Sequence, residues 1–492
     1  MSMIVNHKTA LYTAQQSKEL DKLTGIDGFT LMKTAGQAVY KEMLSQWINL
    51  RPKGKLHIFC GAGNNAGDGY VIASCARADG IEVTVTAVKE PETLSGEALQ
   101  AWHQFKAEGG TISHWSDTAD LSDADVIVDA LLGTGIKGEV SSQYASVIKK
   151  INQSGRPVLS VDIPSGLCAD TGAVCGIAVQ ATLTVTVISL KKGLFTANGP
   201  QQCGKLLFAD LFLPAALYEK VQPFAQLITP HYLCKWLKPR KENSHKGSFG
   251  SLLLIGGEQG MGGAVLMAAE AALACGAGRV IVLTRQMHVS AFIARCPEIM
   301  VYACENNDVT ELITDNITAV VAGPGLGKTA WSKSVIKSLQ SVNLPILFDA
   351  DALNLLAENS DLCSLHDNHI FTPHPGEAAR LLQTTTADIQ QNRFDALARL
   401  QKRWRGCIVL KGSGSLIADD KAVMLCDKGN AGLSIPGSGD ILSGIAGSLL
   451  AQGYDTFQAG CLGVWLHASA GDQAIKNLPG KSGLKATELI PH

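Results

Sequence analysis

Short runs of apolar residues alternate along the first half of the chain with longer stretches in which apolar positions recur at helical spacing. The apolar runs are Lys55–Cys60, Glu82–Val88, Asp125–Leu131, Pro157–Val161 and Ala181–Leu190. The stretches Gly96–Glu108 and Gln143–Gln153 between them are amphipathic. Because buried strands that alternate with helices form parallel sheets covered on both faces, this pattern predicts an α/β domain.

Two helices are predicted ahead of the first strand. Thr13 or Ser17 could cap a helix that runs through Leu23, and Thr30 could cap a helix over Leu31 to Trp47. A further helix is predicted to start near Tyr70, after a glycine-rich loop.

The strand–helix alternation is interrupted between Phe208 and Gly247, where four prolines and the polar run Lys238–Lys246 occur. It resumes at Gly250 with a second series of apolar runs: Ser251–Ile255, Val280–Leu283, Ala319–Ala322, Pro345–Phe348, His369–Thr372 and Cys407–Leu410. The sequence therefore predicts two α/β domains in tandem, with a boundary near residue 220 that separates residues 1–220 from residues 221–492.

Composition and charge narrow the function. Apolar residues make up 46% of the chain and charged residues 17%, which excludes a disordered protein. The 42 basic and 44 acidic residues nearly cancel, so neither nucleic acid nor a membrane is an expected partner. The 13 cysteines contain no CxxC pair, and the first 16 residues lack a signal-peptide layout, so a cytoplasmic location is expected.

Three polar loops follow predicted strands in the first domain: Gly61–Gly69, Asp129–Gly138 and Asp162–Gly166. Ligands of open parallel sheets bind outside the carboxyl ends of the strands, so these loops are expected to share one site. Asn65, Asp129 and Ser165 could supply oxygen ligands to one cation, which suits an alkali or alkaline-earth ion better than zinc. The alternative is that the three loops are ordinary turns with glycines and helix caps.

The first loop also fits a dinucleotide-binding fingerprint through Gly61, Gly63 and Ala66. The acidic residue expected about 20 positions further on would be Glu82, but Glu82 opens the next strand instead of closing it. A hydride-transferring dehydrogenase is therefore a distant alternative.

The second domain carries two candidate phosphate loops. Ala322–Thr329 satisfies a permissive P-loop pattern, but it lies well inside its domain instead of near its start. Ile435–Gly444 is favoured, because a glycine loop there leads directly into an apolar helix over Ile441–Leu450, whose free amides could bind a phosphoryl group. Asp440 beside that loop could accept a proton from an attacking hydroxyl, or it could simply cap the helix.

Other polar groups end neighbouring strands of the second domain. The loop Lys411–Ser415 suits a nucleotide phosphate or ribose, and Asp351, Asn354 and Glu377 could hold magnesium directly or through water.

Five motifs in chain order resemble those of the bifunctional NAD(P)H-hydrate repair enzymes. They are Asn64–Gly69, Asp162–Gly166, Asp349–Asn354, His374–Glu377 and Gly437–Asp440, and the resemblance covers essentially the whole chain. It implies a Rossmann-like, potassium-using epimerase domain followed by a ribokinase-like, ADP-dependent dehydratase domain acting on the S epimer. The chain departs from the family's usual residues at Ala66 and Ser438, and neither change removes a functional group.

The resemblance also implies site residues. In the first domain, Asp129, Asn65 and Ser165 would bind potassium, and the hydrate would be bound by Asn64, Asn65, Ala66, Gly67, Asp68, Gly133, Thr134, Gly135, Ile136, Lys137, Gly138, Glu139 and Asp162. In the second domain, the hydrate would be bound by Ala264, Gly325, His374 and Asp440. The adenine nucleotide would be bound by Lys411, Gly412, Ser413, Gly414, Ser415 and Gly439.

The implied substrates are NADHX and NADPHX, with ADP as the phosphoryl donor. Asp162 is the first choice for a proton-handling group in the epimerase and Asp440 for the base in the dehydratase. A role for Lys191 or Lys192 is left open, as are the oligomeric state, homo-oligomers included, and the preferred hydrate. The main alternative is a sugar or vitamin kinase fused to a non-catalytic nucleotide-binding module.

Overall fold

The computed structural model describes residues 7–51, 53–305, 309, 310, 313, 316–362, 366–478 and 482–492. They fall into two compact units that divide between Gln226 and Leu227. No helix within these ranges is long and apolar enough to span a membrane.

The first unit is built around a sheet of parallel strands. The strands in this part of the chain are β1 (Ala10–Tyr12), β2 (Lys55–Cys60), β3 (Glu82–Ala87), β4 (Ile112–His114), β5 (Val126–Ala130), β6 (Val158–Val161), β7 (Leu183–Val187), β8 (Leu190–Lys191), β9 (Lys205–Ala209) and β10 (Ala225–Leu227). The short strands β1, β8 and β10 are not part of this sheet, and β10 includes the point at which the chain divides into its two units. Its helices are α1 (Ala14–Leu23), α2 (Gly28–Gln46), α3 (Asn64–Ala78), α4 (Gly96–Ala107), α5 (Ser142–Gln153), α6 (Gly199–Cys203) and α7 (Ala215–Tyr218).

The main sheet has the order β4-β3-β2-β5-β6-β7-β9 with every neighbouring pair parallel. Successive strands run outward in both directions from β2, which is the doubly wound arrangement of Rossmann-like domains. Ile58 of β2 packs in a cluster with residues of α2, α3 and α4, whereas its neighbour Phe59 packs with Val147 and Ile148 of α5. Both faces of the sheet are therefore covered, as the apolar runs predict.

The second unit contains a larger mixed sheet. Its strands are β11 (Ser251–Ile255), β12 (Arg279–Thr284), β13 (Met300–Ala303), β14 (Ala319–Ala322), β15 (Ile346–Phe348), β16 (His369–Phe371), β17 (Cys407–Leu410), β18 (Ser415–Ala418) and β19 (Val423–Cys426). Its helices are α8 (Pro230–Trp236), α9 (Gly262–Ala274), α10 (Val289–Arg295), α11 (Ala330–Ser338), α12 (Ala350–Glu358), α13 (Pro375–Leu382), α14 (Thr386–Gln391), α15 (Arg393–Trp404), α16 (Ser438–Ala451) and α17 (Thr456–Ala474).

Its strands follow the order β13-β12-β11-β14-β15-β16-β17-β18-β19, parallel up to β17 and antiparallel through the last two pairings. Leu252 and Leu254 of β11 pack with Val265 of α9 and Leu442 of α16. The predicted class, two α/β domains in tandem, is confirmed.

The structure corrects several predicted boundaries. The second helix begins at Gly28 and is capped by Asp27, not by Thr30. The helix predicted near Tyr70 starts six residues earlier, at Asn64, and the helix predicted at Ile441 starts at Ser438. In both helices most residues of the first turn are polar or glycine, so the apolar pattern alone does not mark the start of the helix. The first turn of a helix leaves its amides without partners inside the helix.

Candidate active sites

A cavity of about 800 Å³ opens in the first unit at the carboxyl ends of its central strands. The sheet order reverses direction between β2 and β5, and the loops that follow these two strands meet there. The close approach depends on Gly61, since a Cβ at that position would lie 1.8 Å from the carbonyl oxygen of Leu131. The predicted residues that line the cavity are Asn64, Asn65, Asp68, Gly133, Thr134, Gly135, Ile136 and Asp162.

Other predicted residues of these loops lie elsewhere. Ala66 is fully buried, and a Cβ on Gly67 would contact Met32, so both belong to the packing beneath the cavity. Lys137, Gly138 and Glu139 are exposed and lie outside the cavity lining.

Asp162 and Lys191 form an ion pair at the cavity wall. Asp162 has a left-handed backbone, with φ of 66°, and its Oδ1 also accepts hydrogen bonds from Thr186 Oγ1 at 3.0 Å and Val187 N at 3.1 Å. The Lys191 ammonium is almost completely buried and donates to Val187 O at 2.9 Å. The sequence left open whether Lys191 or Lys192 reaches the site, and the structure places Lys191 there. Lys192 packs instead over the ring of Phe224.

A second carboxylate, Asp129, is completely buried at the end of β5. It accepts hydrogen bonds from Ser160 Oγ at 2.8 Å, Ser165 Oγ at 2.5 Å and Ser165 N at 2.9 Å. Burial raises the pKa of Asp129, and the hydrogen bonds from Ser165 and Ser160 oppose that rise.

The three residues predicted to bind a cation are joined through Leu132. Ser165 Oγ accepts a hydrogen bond from Leu132 N at 2.8 Å, and Asn65 Nδ2 donates to Leu132 O at 3.2 Å. Asp129, Ser165 and Leu132 thus bring carboxylate, hydroxyl and carbonyl oxygens together, which is a donor set suited to a hard cation, and Asn65 contacts this group through its amide nitrogen. In the described ranges, no group of three or more His, Cys, Asp and Glu residues is arranged to hold a metal ion.

In the second unit, a buried ion pair lies between the ends of two strands. Lys411 Nζ, after β17, is 2.8 Å from Asp349 Oδ1, after β15. Asp349 also accepts hydrogen bonds from Thr372 Oγ1 at 2.8 Å and from Ser443 Oγ of α16 at 2.7 Å. Burial alone would raise the pKa of Asp349, but the charge of Lys411 and these hydrogen bonds hold it below its ordinary value.

The N-terminus of α16 lies beside this pair. A Cβ on Gly439 would be 3.4 Å from Lys411 Nζ and 3.8 Å from Asp349 Oδ2. Asp440 follows in the first turn of the helix, where burial and the charge of Asp349 raise its pKa to about 7. A carboxyl with that pKa can both accept and release a proton near neutral pH.

His374 and Glu377 cap α13 next to Lys411. His374 Nδ1 accepts the amides of Gly376 and Glu377, and the Glu377 carboxylate accepts the His374 amide at 2.8 Å. Burial raises the pKa of Glu377 to about 7, while burial and the charge of Lys411 lower that of His374 to about 4. The imidazole is therefore neutral at physiological pH.

Ala264 and Gly325 are brought together at the point where the order of this sheet reverses, between β11 and β14. Gly325 has φ of 59°, and a Cβ added to it would lie 3.1 Å from the Ala264 Cβ. The backbone of this loop is held by a hydrogen bond from Glu258 N to Gly325 O at 2.7 Å.

The loop predicted to bind nucleotide, Lys411–Ser415, is supported from behind by Arg393. This completely buried guanidinium donates to the carbonyls of Leu410, Lys411 and Gly414. Arg393 cannot be identified from the sequence as a residue that supports the site, because an arginine at the start of an amphipathic helix is usually a surface residue.

The magnesium candidates are not equivalent. Asp351 Oδ2 accepts the Gly327 amide at 2.9 Å, and Asn354 Oδ1 accepts Arg380 Nε at 2.7 Å. The competing P-loop lysine, Lys328, pairs with Glu358 at the surface. Lys411, and not Lys328, therefore lies beside the N-terminus of α16.

Together the two units define a class of protein: a two-domain α/β enzyme with a carboxylate-rich cavity in one unit and a buried lysine–aspartate pair beside a helix N-terminus in the other. Residues 252–491 match the family model described as NAD(P)H-hydrate dehydratase, and residues 28–193 match the one described as YjeF-related protein N-terminus. The bifunctional NAD(P)H-hydrate repair enzyme Nnr of Coxiella burnetii is 42% identical, with 98% of each chain covered. The chain belongs to the family of bifunctional NAD(P)H-hydrate repair enzymes.

Two solved structures resemble the second unit. The hypothetical protein SMU.573 from Streptococcus mutans is 28% identical, with a TM-score of 0.50, and the match covers 54% of this chain and 96% of that one. An ADP/ATP-dependent NAD(P)H-hydrate dehydratase from Bacillus subtilis, co-crystallised with ATP and Mg²⁺, is 26% identical, with a TM-score of 0.49 and coverage of 54% and 95%.

Proposed function

We propose that this chain restores hydrated NADH and NADPH to the active cofactors by two reactions. The domain of residues 1–220 interconverts the R and S hydrates at C6 of the nicotinamide ring. The domain of residues 221–492 dehydrates the S hydrate with ADP. The observation that carries the proposal is similarity to repair enzymes along almost the whole chain, and it favours this function over the kinase and dehydrogenase alternatives.

In the dehydratase, Asp440 takes the proton of the C6 hydroxyl. The hydroxyl oxygen then attacks the terminal phosphorus of ADP, and AMP leaves. Phosphate is a better leaving group than hydroxide, so the C6–O bond breaks with its electron pair, and loss of a proton from C5 forms the C5=C6 double bond. The position of Asp440 in the first turn of α16 and its pKa of about 7 support this role.

The anionic groups are stabilised by Lys411, Gly439 and the free amides at the start of α16. We assign the adenine nucleotide to Lys411–Ser415 and Gly439. The nicotinamide hydrate is assigned to the surface formed by Ala264, Gly325, His374 and Asp440. Magnesium, when bound, would neutralise phosphate charge, and Asp351 and Glu377 suit it better than Asn354, whose oxygen already binds Arg380.

In the epimerase, the hydrate is assigned to the cavity, with Asp162 as a proton-transferring group. Lys191 fixes the orientation of that carboxylate through their ion pair. Potassium would be held by Asn65, Asp129 and Ser165 and would supply a fixed positive charge beside the buried carboxylate. The described cysteines are free thiols, which supports a reducing compartment such as the cytoplasm.

The test uses purified chain and a racemic mixture of hydrates with magnesium, with return of the reduced-nicotinamide absorbance as the readout. With ADP, both epimers should be recovered completely. Recovery that stops at half would show a dehydratase without an epimerase. Absence of recovery with either ADP or ATP would refute the repair function.

A further inference from the structure

One wall of the cavity comes from a helix that precedes the N-terminal family match. That match begins at residue 28, whereas α1 ends at Leu23. Ser17, Lys18, Asp21 and Lys22 of α1 all line the cavity. The resemblance assigns no role to any of them.

The orientation of α1 is fixed by contacts along its N-terminal half. Thr13 caps the helix, and Ala14 N donates to Asp170 Oδ1 at 2.8 Å. One turn further on, the buried Ser17 hydroxyl is 2.7 Å from that of Ser189. Ser189 lies two residues before Lys191, so the Ser17 face of α1 is directed at the segment that carries the Asp162–Lys191 pair.

Asp21 is on that same face, because residues four apart are neighbours on a helix surface. Its carboxylate lines the cavity, and within the described part of the chain no residue donates a hydrogen bond to it. The Asp21 carboxylate therefore lies near the charges of Lys191 and Asp162, and its oxygens are available to a ligand.

We propose that Asp21 is the second proton-transferring carboxyl of the epimerase site and acts on the hydrate together with Asp162. This inference rests on the epimerase function proposed above. Asp21 in its acid form donates a proton to the C6 hydroxyl as the C6–O bond breaks. The bonding pair leaves with oxygen as water, and the lone pair of ring N1 forms a C6=N1 iminium.

Water then adds to the opposite face of C6. It gives one proton to the Asp162 carboxylate, and the π pair of the iminium returns to N1. The net result is the other epimer, with one proton moved from Asp21 to Asp162. Exchange with solvent through the open cavity resets the two carboxyls.

The electrostatics of the cavity support an acid role. Asp21 is exposed at the cavity surface, and the partial loss of hydration there raises its pKa to about 6, with Lys191 lowering it and Asp162 raising it. Burial and the charges of Asp162 and Asp21 raise the pKa of Asp68, on α3, well above its ordinary value. The remaining charged groups that line the cavity are Glu97 of α4 and Lys18 and Lys22 of α1.

The test compares Asp21→Asn with Glu19→Gln in the full chain. Glu19 lies on the same helix and is exposed like Asp21, but it lies outside the cavity lining. The assay starts from the R hydrate without ADP and follows formation of the S hydrate by chromatography. For Asp21→Asn, kcat should fall by about 100-fold or more, with KM changed less than about threefold. Glu19→Gln should behave as wild type.

The pH profile separates proton transfer from positioning. In the wild type, kcat for epimerisation should fall as pH rises through about 6, because the acid form of Asp21 is required. Asp21→Asn should lose that limb, and Asp21→Glu should restore part of it. An Asp21→Asn variant with wild-type kcat, or with a raised KM and an unchanged profile, would overturn the inference. A wild-type chain that dehydrates the S hydrate but never interconverts the epimers would instead refute the proposed epimerase.

Discussion

Two lysine–carboxylate pairs in the second unit have nearly the same length and very different surroundings. Lys411 and Asp349 are 2.8 Å apart with side chains 19% and 2% exposed, whereas Lys328 and Glu358 are 2.7 Å apart with side chains 46% and 49% exposed. Contact distance alone would predict that Lys411→Met and Lys328→Met lower the free energy of unfolding by the same amount. The difference in burial predicts that Lys411→Met lowers it more.

The magnitude follows from the charge that each substitution leaves behind. Lys411→Met leaves the Asp349 carboxylate buried without its cation, which costs about 3–5 kcal/mol of unfolding free energy. The hydrogen bonds from Thr372 and Ser443 remain, but neutral donors do not replace a full charge. Lys328→Met leaves a carboxylate that water can solvate, so the expected cost is about 0.2–1 kcal/mol.

The structure also determines how the stabilising contribution of the Asp349–Lys411 pair changes with pH. In the wild type, the pKa of Asp349 is below its ordinary value, so its stabilising contribution is present at neutral pH and is lost as pH falls through the folded-state pKa. In Lys411→Met, burial without the cation raises the pKa of Asp349. The penalty of this variant should therefore grow as pH rises above about 3.9, the ordinary pKa of an aspartate in the unfolded chain.

The measurement is urea unfolding of the full chain, read by pulsed hydrogen exchange and mass spectrometry. Peptides that cover β14 and β17 report on the second unit, and peptides that cover β5 and β6 serve as an internal control in the first. Reading the units separately is necessary because a single unfolding free energy is not defined for two units. Equal costs for the two variants, or a cost below about 1 kcal/mol for Lys411→Met, would refute the reasoning.

Three further predictions concern the two sites. Asp440→Asn should abolish dehydration and leave epimerisation intact, and loss of both activities in a folded variant would contradict two independent sites. The rate of dehydration by the wild type should increase as pH rises through about 7, because Asp440 must be ionised to act as the base. Replacing potassium with a large organic cation should slow only epimerisation, and an unaffected epimerase would remove the cation from the mechanism. Gly61→Ala, whose Cβ would meet the Leu131 carbonyl at 1.8 Å, should destabilise the first unit by about 1–3 kcal/mol or more. Gly63→Ala, with nothing within 4 Å, should cost less than about 1 kcal/mol; thermal unfolding compares the two.

The sequence predicts those parts of the fold that depend on local pattern. The strands Lys55–Cys60 and Ser251–Ile255 have the predicted bounds, because each is a buried apolar run that ends at a glycine. The run Ala181–Leu190 instead breaks at Ile188, which has a left-handed φ of 65°. A β-branched residue in that conformation is set by tertiary contacts, and no local pattern predicts it.

The residues of the candidate sites also divide into those that the local sequence pattern predicts and those that depend on tertiary packing. Residues at the ends of strands, such as Asp162 and Asp349, were identifiable because the sheet brings those ends together. Asp21 and Arg393 reach their sites from helices whose local sequences give no sign of it. Their positions depend on how each helix packs against distant segments, as Ser17 against Ser189 illustrates.

The buried Arg393 has a kinetic consequence for the loop Lys411–Ser415, to which we assign the adenine nucleotide. By drawing the carbonyls of Leu410, Lys411 and Gly414 inward, it keeps the loop folded before any ligand arrives. A loop that is already ordered loses little conformational entropy on binding. Association of ADP should then be a single step whose observed rate rises linearly with nucleotide concentration, with no plateau from a slow loop rearrangement.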